Sequence, residues 1–156
     1  MKLRLICVGK LNAWQRTAAA DYSARLQHYF GFECIELKEE KGGRKEAVAV
    51  LLRREGERIL ARVGAGDRVV VLDERGHQLA SEELAAKLEE EMLHGGRDWC
   101  LIIGGACGLD PLVRQRADLV LGLSKMTFTH QMARIFLLEQ LYRSATIIRQ
   151  EPYHNR

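Results

Sequence analysis

Five short apolar runs, at residues 2–8, 32–37, 67–73, 99–103 and 118–123, alternate along the chain with segments whose apolar residues recur at helical spacing. Strands separated by helices pair most readily in parallel, because each helix carries the chain back along the sheet. The pattern predicts an α/β fold, a mostly parallel sheet with helices on both faces. With 156 residues, 47% of them hydrophobic, the chain supports one core and is expected to form a single domain over 1–156.

The stretch 123–143, LSKMTFTHQMARIFLLEQLYR, adds a second constraint. It opens as a polar loop and turns at Thr129-His130 into a helix. The apolar residues of that helix, Met132, Ala133, Ile135, Phe136, Leu137, Leu138, Leu141 and Tyr142, go nearly all the way round it. Such a helix is buried on more than one side. The sheet covers one side, and a second copy of the protein can cover the other.

The other segments read as scaffold. A helix over 13–30 places Trp14, Ala18, Tyr22 and Leu26 four residues apart, as a core stripe. A second, over 45–62, is amphipathic with a solvated Arg/Glu face. The third strand ends in a turn at Glu74-Arg75-Gly76, Ser81 caps the next helix, and Glu82 and Glu83 suit its positive end. Gly95-Gly96 stops that helix after His94. Cys7, Cys34, Cys100 and Cys107 lack any CxxC spacing and read as reduced, mostly buried thiols. No run of about 18 apolar residues could cross a bilayer, and the first residues lack a signal h-region and cleavage site. A soluble, cytoplasmic protein with no membrane and no metal partner is expected.

Charge is distributed unevenly. Residues 124–156 hold five basic residues (Lys125, Arg134, Arg143, Arg149 and Arg156) against two acidic ones, while the first 123 residues hold 19 of each sign. The whole excess of +3 lies at this end, with His130 and His154, and suits an anionic partner. On position alone, His130 reads as a helix-start histidine with a local hydrogen bond, and Arg143 as a cation complementing the last turn of its helix. Tyr153 and His154 stand in an extended, exposed tail after Pro152, where they serve no core. With Arg149 and Arg156 they suit stacking on a base and pairing of phosphates, as unpaired RNA requires.

Ligands of open α/β sheets bind beyond the carboxyl ends of the strands. Residues 72–74, 104–109 and 123–128 occupy such positions and are expected to form one pocket, in which Gly104, Gly105 and Gly108 let backbone approach a ligand. GGxxG is a weak signal by itself. No GxGxxG follows the first strand, and neither GxxxxGK[ST] nor GxSxG occurs, so an ordinary Rossmann, P-loop or serine-hydrolase site is disfavoured.

Taken together, LICVGK at 5–10, LDERG at 72–76 with Ser81-Glu82-Glu83, IIGGACGL at 102–109, LSKMTFTHQMAR at 123–134, LLEQLYR at 137–143 and PYH at 152–154 resemble one family over nearly the full length. It is the SPOUT-class bacterial methyltransferases that modify N3 of a pseudouridine in large-subunit (23S) ribosomal RNA. The resemblance implies an α/β domain with a C-terminal trefoil knot, S-adenosylmethionine as cofactor, and a homodimer whose partner subunit completes each active site. It implies that Leu72, Gly104, Leu123, Ser124, Lys125, Met126, Thr127 and Phe128 line the cofactor, and that His130, Arg143, Tyr153 and His154 face the RNA. One departure stands out: family members carry a basic residue directly after the Tyr-His pair, whereas Asn155 follows here and Arg156 comes one position later.

The implied chemistry is transfer of a sulfonium methyl to N3, whose weakly acidic imide proton must be removed. A histidine accepts such a proton near neutrality, with His154 placed first and His130 second. Arg143 or Arg156 stabilises the anionic base or a phosphate, and Tyr153 orients the nucleobase. An assembled ribosome is the expected form of the substrate. The rival readings are a non-catalytic RNA-binding α/β module, a different α/β nucleotide-binding enzyme, and a SPOUT methyltransferase acting on tRNA.

Overall fold

A computed structural model of the chain describes residues 1–42 and 47–155. Among the described residues five strands, β1 (Lys2–Val8), β2 (Gly31–Leu37), β3 (Arg68–Gln78), β4 (Trp99–Ile103) and β5 (Leu119–Gly122), form one sheet in the order β2-β1-β4-β3-β5. All four pairings are parallel. Strand alternation sends Leu3, Leu5, Cys7, Val70, Leu72, Leu101 and Ile103 to one face, where Ala19, Leu26, Leu84, Leu88, Leu137, Leu138, Leu141 and Ala145 meet them. Ile6, Val8, Val69, Val71, Cys100 and Ile102 face the other way, onto Ile59 and Val113. The first face is covered by α1 (Ala13–Leu26), α3 (Ser81–Glu90) and α5 (His130–Ile148), the second by α2 (Val48–Leu60) and α4 (Pro111–Gln115). Helices on both faces are as the alternating pattern required.

α5 is the pivot of the larger layer, packed on both α1 and α3. Thr129 caps it by accepting the Met132 N–H at 3.2 Å, and Leu137, Leu138 and Leu141 are fully buried. Each contributes about 1.5–3 kcal/mol by leaving water, so Leu141→Ala costs about 2–5 kcal/mol with the cavity it leaves. The outer side of the helix is incompletely covered: Phe136 is 40% exposed and packs on Phe128, their ring centroids 4.9 Å apart.

Several sequence expectations are corrected. Trp14 is 59% exposed, and the inner face of α1 is made by Gln15 and Ala19 together with the expected Leu26. Asn12 and Gln15 fix the start of the helix by capping one another: Asn12 Oδ1 accepts the Gln15 N–H at 3.0 Å, and Gln15 Oε1 accepts the Asn12 N–H at 3.1 Å. Residues 74–76 are no terminal turn, since β3 runs on to Gln78 through an irregularity between Leu72 and His77 and still pairs with β5. A side chain at Gly76 would strike the Gly122 and Leu121 backbone at 2.6 Å, so glycine is there for close strand approach. Ser81 lies inside α3, where its hydroxyl donates to Gln140 Oε1 at 2.7 Å; Glu83 takes the free Ala80 N–H at 2.7 Å. α5 continues past Arg143 to Ile148, so Arg143 is not at its last turn. The expected start of the second helix at Lys45 lies outside the described residues, and α2 begins at Val48.

Candidate functional site

The carboxyl ends of β3, β4 and β5 open onto one cavity of about 680 Å³. Its lining includes Leu72-Asp73-Glu74, Gly104 through Leu109, and Leu123, Ser124, Met126, Thr127 and Phe128, so the three segments singled out in the sequence converge. That volume is in the range of small-molecule sites. The loop 104–109 is folded tightly on itself: Gly105 bridges Gly108, Gly108 takes φ +91°, and a Cβ at Gly104 would lie 2.4 Å from the Gly108 carbonyl oxygen. The wall is therefore backbone, backed by the apolar side chains of Leu72, Ile103, Leu109, Leu121 and Leu123. Polar groups gather at one side, where Thr127 donates to Glu74 at 2.8 Å and Arg114 pairs with the nearly buried Asp73. Such a lining suits a ligand with an apolar heterocycle and charged substituents of both signs.

The loop 123–128 is not buried as a whole. Leu123 and Ser124 are half-buried, whereas Met126 is 73% exposed. Lys125 is exposed and does not line the cavity. His130 does line it, half-buried, with its Nε2 so close to Gly9 that a Cβ there would come within 2.9 Å.

A second cluster lies at the other end of α5. The tail is neither extended nor free: Tyr153 and His154 are half-buried against their own chain. Glu139 Oε1 accepts from Arg143 Nε at 3.0 Å, Arg143 Nη2 at 2.5 Å and the Tyr153 hydroxyl at 3.1 Å. Arg143 also lies over the Tyr153 ring, 4.8 Å from its centroid, and Tyr153 packs edge-on against Tyr142. Burial, together with Tyr22 and Glu139, pushes the Tyr153 phenol well above its ordinary value, so it stays protonated. His154 Nδ1 lies 3.2 Å from Arg143 Nη1, and Nε2 lies 3.2 Å from Glu82 Oε1. A guanidinium can only donate, so Nδ1 accepts, and Nε2 carries the proton that reaches Glu82. Glu82 and Glu139 thus belong to this cluster. The sequence reading took Glu82 as a helix-end charge and did not single out Glu139, whose only local signal was its i,i+4 spacing from Arg143.

A family model described as Predicted SPOUT methyltransferase matches residues 1–154. The chain belongs to the SPOUT methyltransferase family. It is 54% identical to the Ribosomal RNA large subunit methyltransferase H of Syntrophotalea carbinolica, with 100% of both chains covered. It is 46% identical to the protein of the same name from Pelobacter propionicus, over 99% of this chain and 100% of the relative. The structure of a probable methylase family protein from Haemophilus influenzae Rd KW20 covers 99% of this chain, and is itself covered to 70%, at a TM-score of 0.56 and 12% identity. That likeness shows the α/β fold alone.

For this SPOUT methyltransferase the expected site residues fall into two groups. Leu72, Gly104, Leu123, Ser124, Met126, Thr127, Phe128 and His130 share the cavity. Arg143, Tyr153 and His154 share the tail cluster, and Arg156 lies outside the described residues. His130 and Arg143 are 13 residues apart on one helix, a rise of roughly 20 Å. One copy of the chain does not bring the two groups together. Among the described residues no group of three or more His, Cys, Asp or Glu is placed to hold a metal ion, and no helix is long and apolar enough to cross a membrane.

A third polar group sits beside the pocket end of α5. Arg134, 8% exposed, reaches to β2, where it donates to Glu36 at 2.9 Å and to Cys34 Sγ at 3.1 Å. A hydrogen bond from the buried Cys7 thiol, with help from Arg134, lowers the Cys34 thiol to about 7. Burial leaves Cys7 itself raised well above the ordinary thiol range. All four cysteines are free: Cys7 and Cys100 are buried, Cys34 is half-buried, and Cys107, outside the strands, is exposed.

Proposed function

We propose that this chain, as a single domain of 156 residues, transfers a methyl group from S-adenosylmethionine to N3 of a pseudouridine in large-subunit ribosomal RNA. The observation that carries the reading is the convergence of three strand ends on one glycine-walled cavity, in a chain aligned end to end with relatives named for large-subunit ribosomal RNA methylation. The cavity fits the cofactor: its apolar wall suits adenine, and Asp73, Glu74, Arg75 and Arg114 offer charges of both signs to the amino-acid part. Bound there, S-adenosylmethionine supplies an electrophilic sulfonium methyl.

The tail cluster supplies the proton chemistry. N3 of the base must lose its imide proton before or as it takes the methyl. His154 accepts that proton at Nδ1 when Arg143 releases its hydrogen bond, and Glu82 on Nε2 steadies the imidazolium that results. Arg143, freed at one nitrogen, stabilises the anionic base. Glu139 holds Arg143 and Tyr153 in place throughout. Because the cavity and the tail are roughly 20 Å apart in one copy, the active form is a homodimer in which the tail of one protomer completes the pocket of the other. The uncovered Met126, Phe128 and Phe136 support that arrangement. The family's trefoil knot and a cytoplasmic location belong to the same reading.

The test is incubation of the protein with methyl-labelled S-adenosylmethionine and ribosomes lacking the modification, followed by nucleoside mass spectrometry, with cofactor binding measured by calorimetry. Label in N3-methylpseudouridine of large-subunit RNA is expected. Cofactor-dependent label in tRNA instead would move the substrate within the family. Absence of cofactor binding by folded protein would leave an RNA-binding module as the better reading.

A further inference from the structure

Trp14 has no place in the core. It is 59% exposed, although tryptophan is on average a well-covered side chain. The backbone that presents it is nonetheless held firmly. Gly9, at φ +93°, donates its N–H to Leu37 O at 2.9 Å. Asn12 and Gln15 cap one another, and Arg16 Nη2 donates to Leu11 O at 3.1 Å. Gln131, which lines the cavity, donates to Lys10 O at 3.3 Å. An exposed aromatic is thus fixed to a loop that is tied to the rim of the pocket.

The charge along the chain on either side of Trp14 is one-sided. The stretch from Lys10 to Arg16 carries two cations and no acid, and both side chains are exposed. The first turn of α1 also lacks a carboxylate to meet the partial positive charge of a helix start. Apolar protein contacts gain nothing from cations that flank an aromatic along the chain, whereas a nucleic acid meets the ring with a base and the cations with phosphates.

We propose that Trp14 is a stacking platform for a nucleobase next to the methylated nucleotide, with Lys10 and Arg16 pairing the adjoining phosphates. The inference rests on the RNA substrate proposed above and adds a positioning residue to it. A base drawn out for chemistry leaves its neighbour short of a stacking partner, and an indole on a firmly held backbone, four residues from the Lys10 carbonyl that Gln131 of the pocket lining holds, replaces it at little ordering cost.

The experiment compares Trp14→Ala, Trp14→Leu, Trp14→Phe and Lys10→Ala with the unaltered protein on ribosomes lacking the modification. Ala and Leu are expected to raise KM for the ribosome roughly tenfold or more, with kcat little changed. Phe should stay near the unaltered value, and Lys10→Ala should reduce the salt slope of binding by about one. Calorimetry and light scattering should show cofactor affinity and mass unchanged. An unchanged KM for Trp14→Ala, or equal behaviour of Leu and Phe, overturns the stacking role. A mass that falls on Trp14→Ala assigns the residue to contact with a second copy and overturns it too. Ribosome binding is measured separately from methyl transfer. Unaltered protein that binds but transfers nothing defeats the catalytic reading alone, and the binding data still decide the role of Trp14.

Discussion

The two ends of α5 are built on opposite principles. At its start, the cavity is walled by backbone, with glycines packed against each other and an exposed loop across the mouth. Toward its far end there is a dense cluster of side chains, in which one carboxylate oxygen of Glu139 serves three donors and both nitrogens of His154 are engaged. The first region can receive a ligand but contributes one histidine. The second holds a histidine, an arginine and a tyrosine, the groups that the proposed reaction needs for proton transfer and charge stabilisation. Each supplies what the other lacks, and a rigid helix keeps them roughly 20 Å apart. The proposed homodimer would join them, given a two-fold axis that sets the two copies of α5 antiparallel, the start of one beside the end of its mate.

The strongest way to break this comparison is to disable the two ends on different protomers. Gly104→Ala puts a methyl 2.4 Å from the Gly108 carbonyl oxygen. It should weaken cofactor affinity on the order of 100-fold, about 2.8 kcal/mol. His154→Ala should leave cofactor binding intact and slow single-turnover transfer by about 10²–10⁴. Mixing the two dead variants through unfolding and refolding should restore about a quarter of the activity, because half of a random population is mixed and each mixed dimer owns one good site. Mixed dimers that recover nothing would place both halves of the site in the same protomer.

A milder change tests the tail cluster alone. Glu139→Gln keeps the shape but weakens the hold on Arg143 and Tyr153. Transfer should fall about tenfold, as expected when a charge-assisted hydrogen bond is weakened, while calorimetry shows cofactor affinity unchanged. Loss of cofactor affinity as well would mean that the two ends are coupled through the helix.

How much of this was readable in the sequence differs between the two ends for the same reason. Strand ends are local: a run such as WCLII followed by GGACG announces both the strand and the loop, so Leu72, Gly104 and the 123–128 loop, Lys125 excepted, fall on one cavity as expected. The tail cluster is made across 72 positions, His154 to Glu82, and no spacing rule connects a terminal histidine to the first turn of α3. Trp14 was misplaced because four-residue spacing marks a stripe without saying which stripe faces inward. Gln15 and Ala19, one position along, are buried instead. The reading of Glu74-Arg75-Gly76 as a turn failed because Gly76 serves strand approach, a role that sequence does not distinguish from a turn.

Arg134 sets how the pocket end of α5 sits on the sheet. Arg134→Met should cost about 2–3 kcal/mol in chemical denaturation, below the full cost of breaking a buried pair because Glu36 reaches water. The same change should raise the Cys34 thiol back toward the ordinary range. In the unaltered protein, alkylation of Cys34, followed by peptide mass spectrometry, should rise through pH about 7. The native state holds Cys34 as thiolate more readily than the unfolded chain, whose thiols titrate near 8.5. Stability from this group is therefore fully present above about 8.5 and lost as pH falls through about 7. Cys7 and Cys100 work in the opposite direction once the unfolded thiols ionise, so the rise in stability should turn into a decline above that pH. A flat stability curve between those two pH values would remove the thiolate from Cys34.

The smallest effect expected is at the root of the tail, where the Tyr29 hydroxyl donates to Glu151. That bond, with partial burial, pushes the Tyr29 phenol up to about 12. If the tail is ordered mainly by Glu139, Arg143 and Glu82, Tyr29→Phe should cost about 0.5 kcal/mol, the low end for an exposed hydrogen bond. It should then slow transfer by less than about threefold. A tenfold loss would show that the tail is held at its root, with His154 following passively. The comparison would then need redrawing, because the prepared side-chain cluster would depend on α1 and its C-terminal turn as much as on α5.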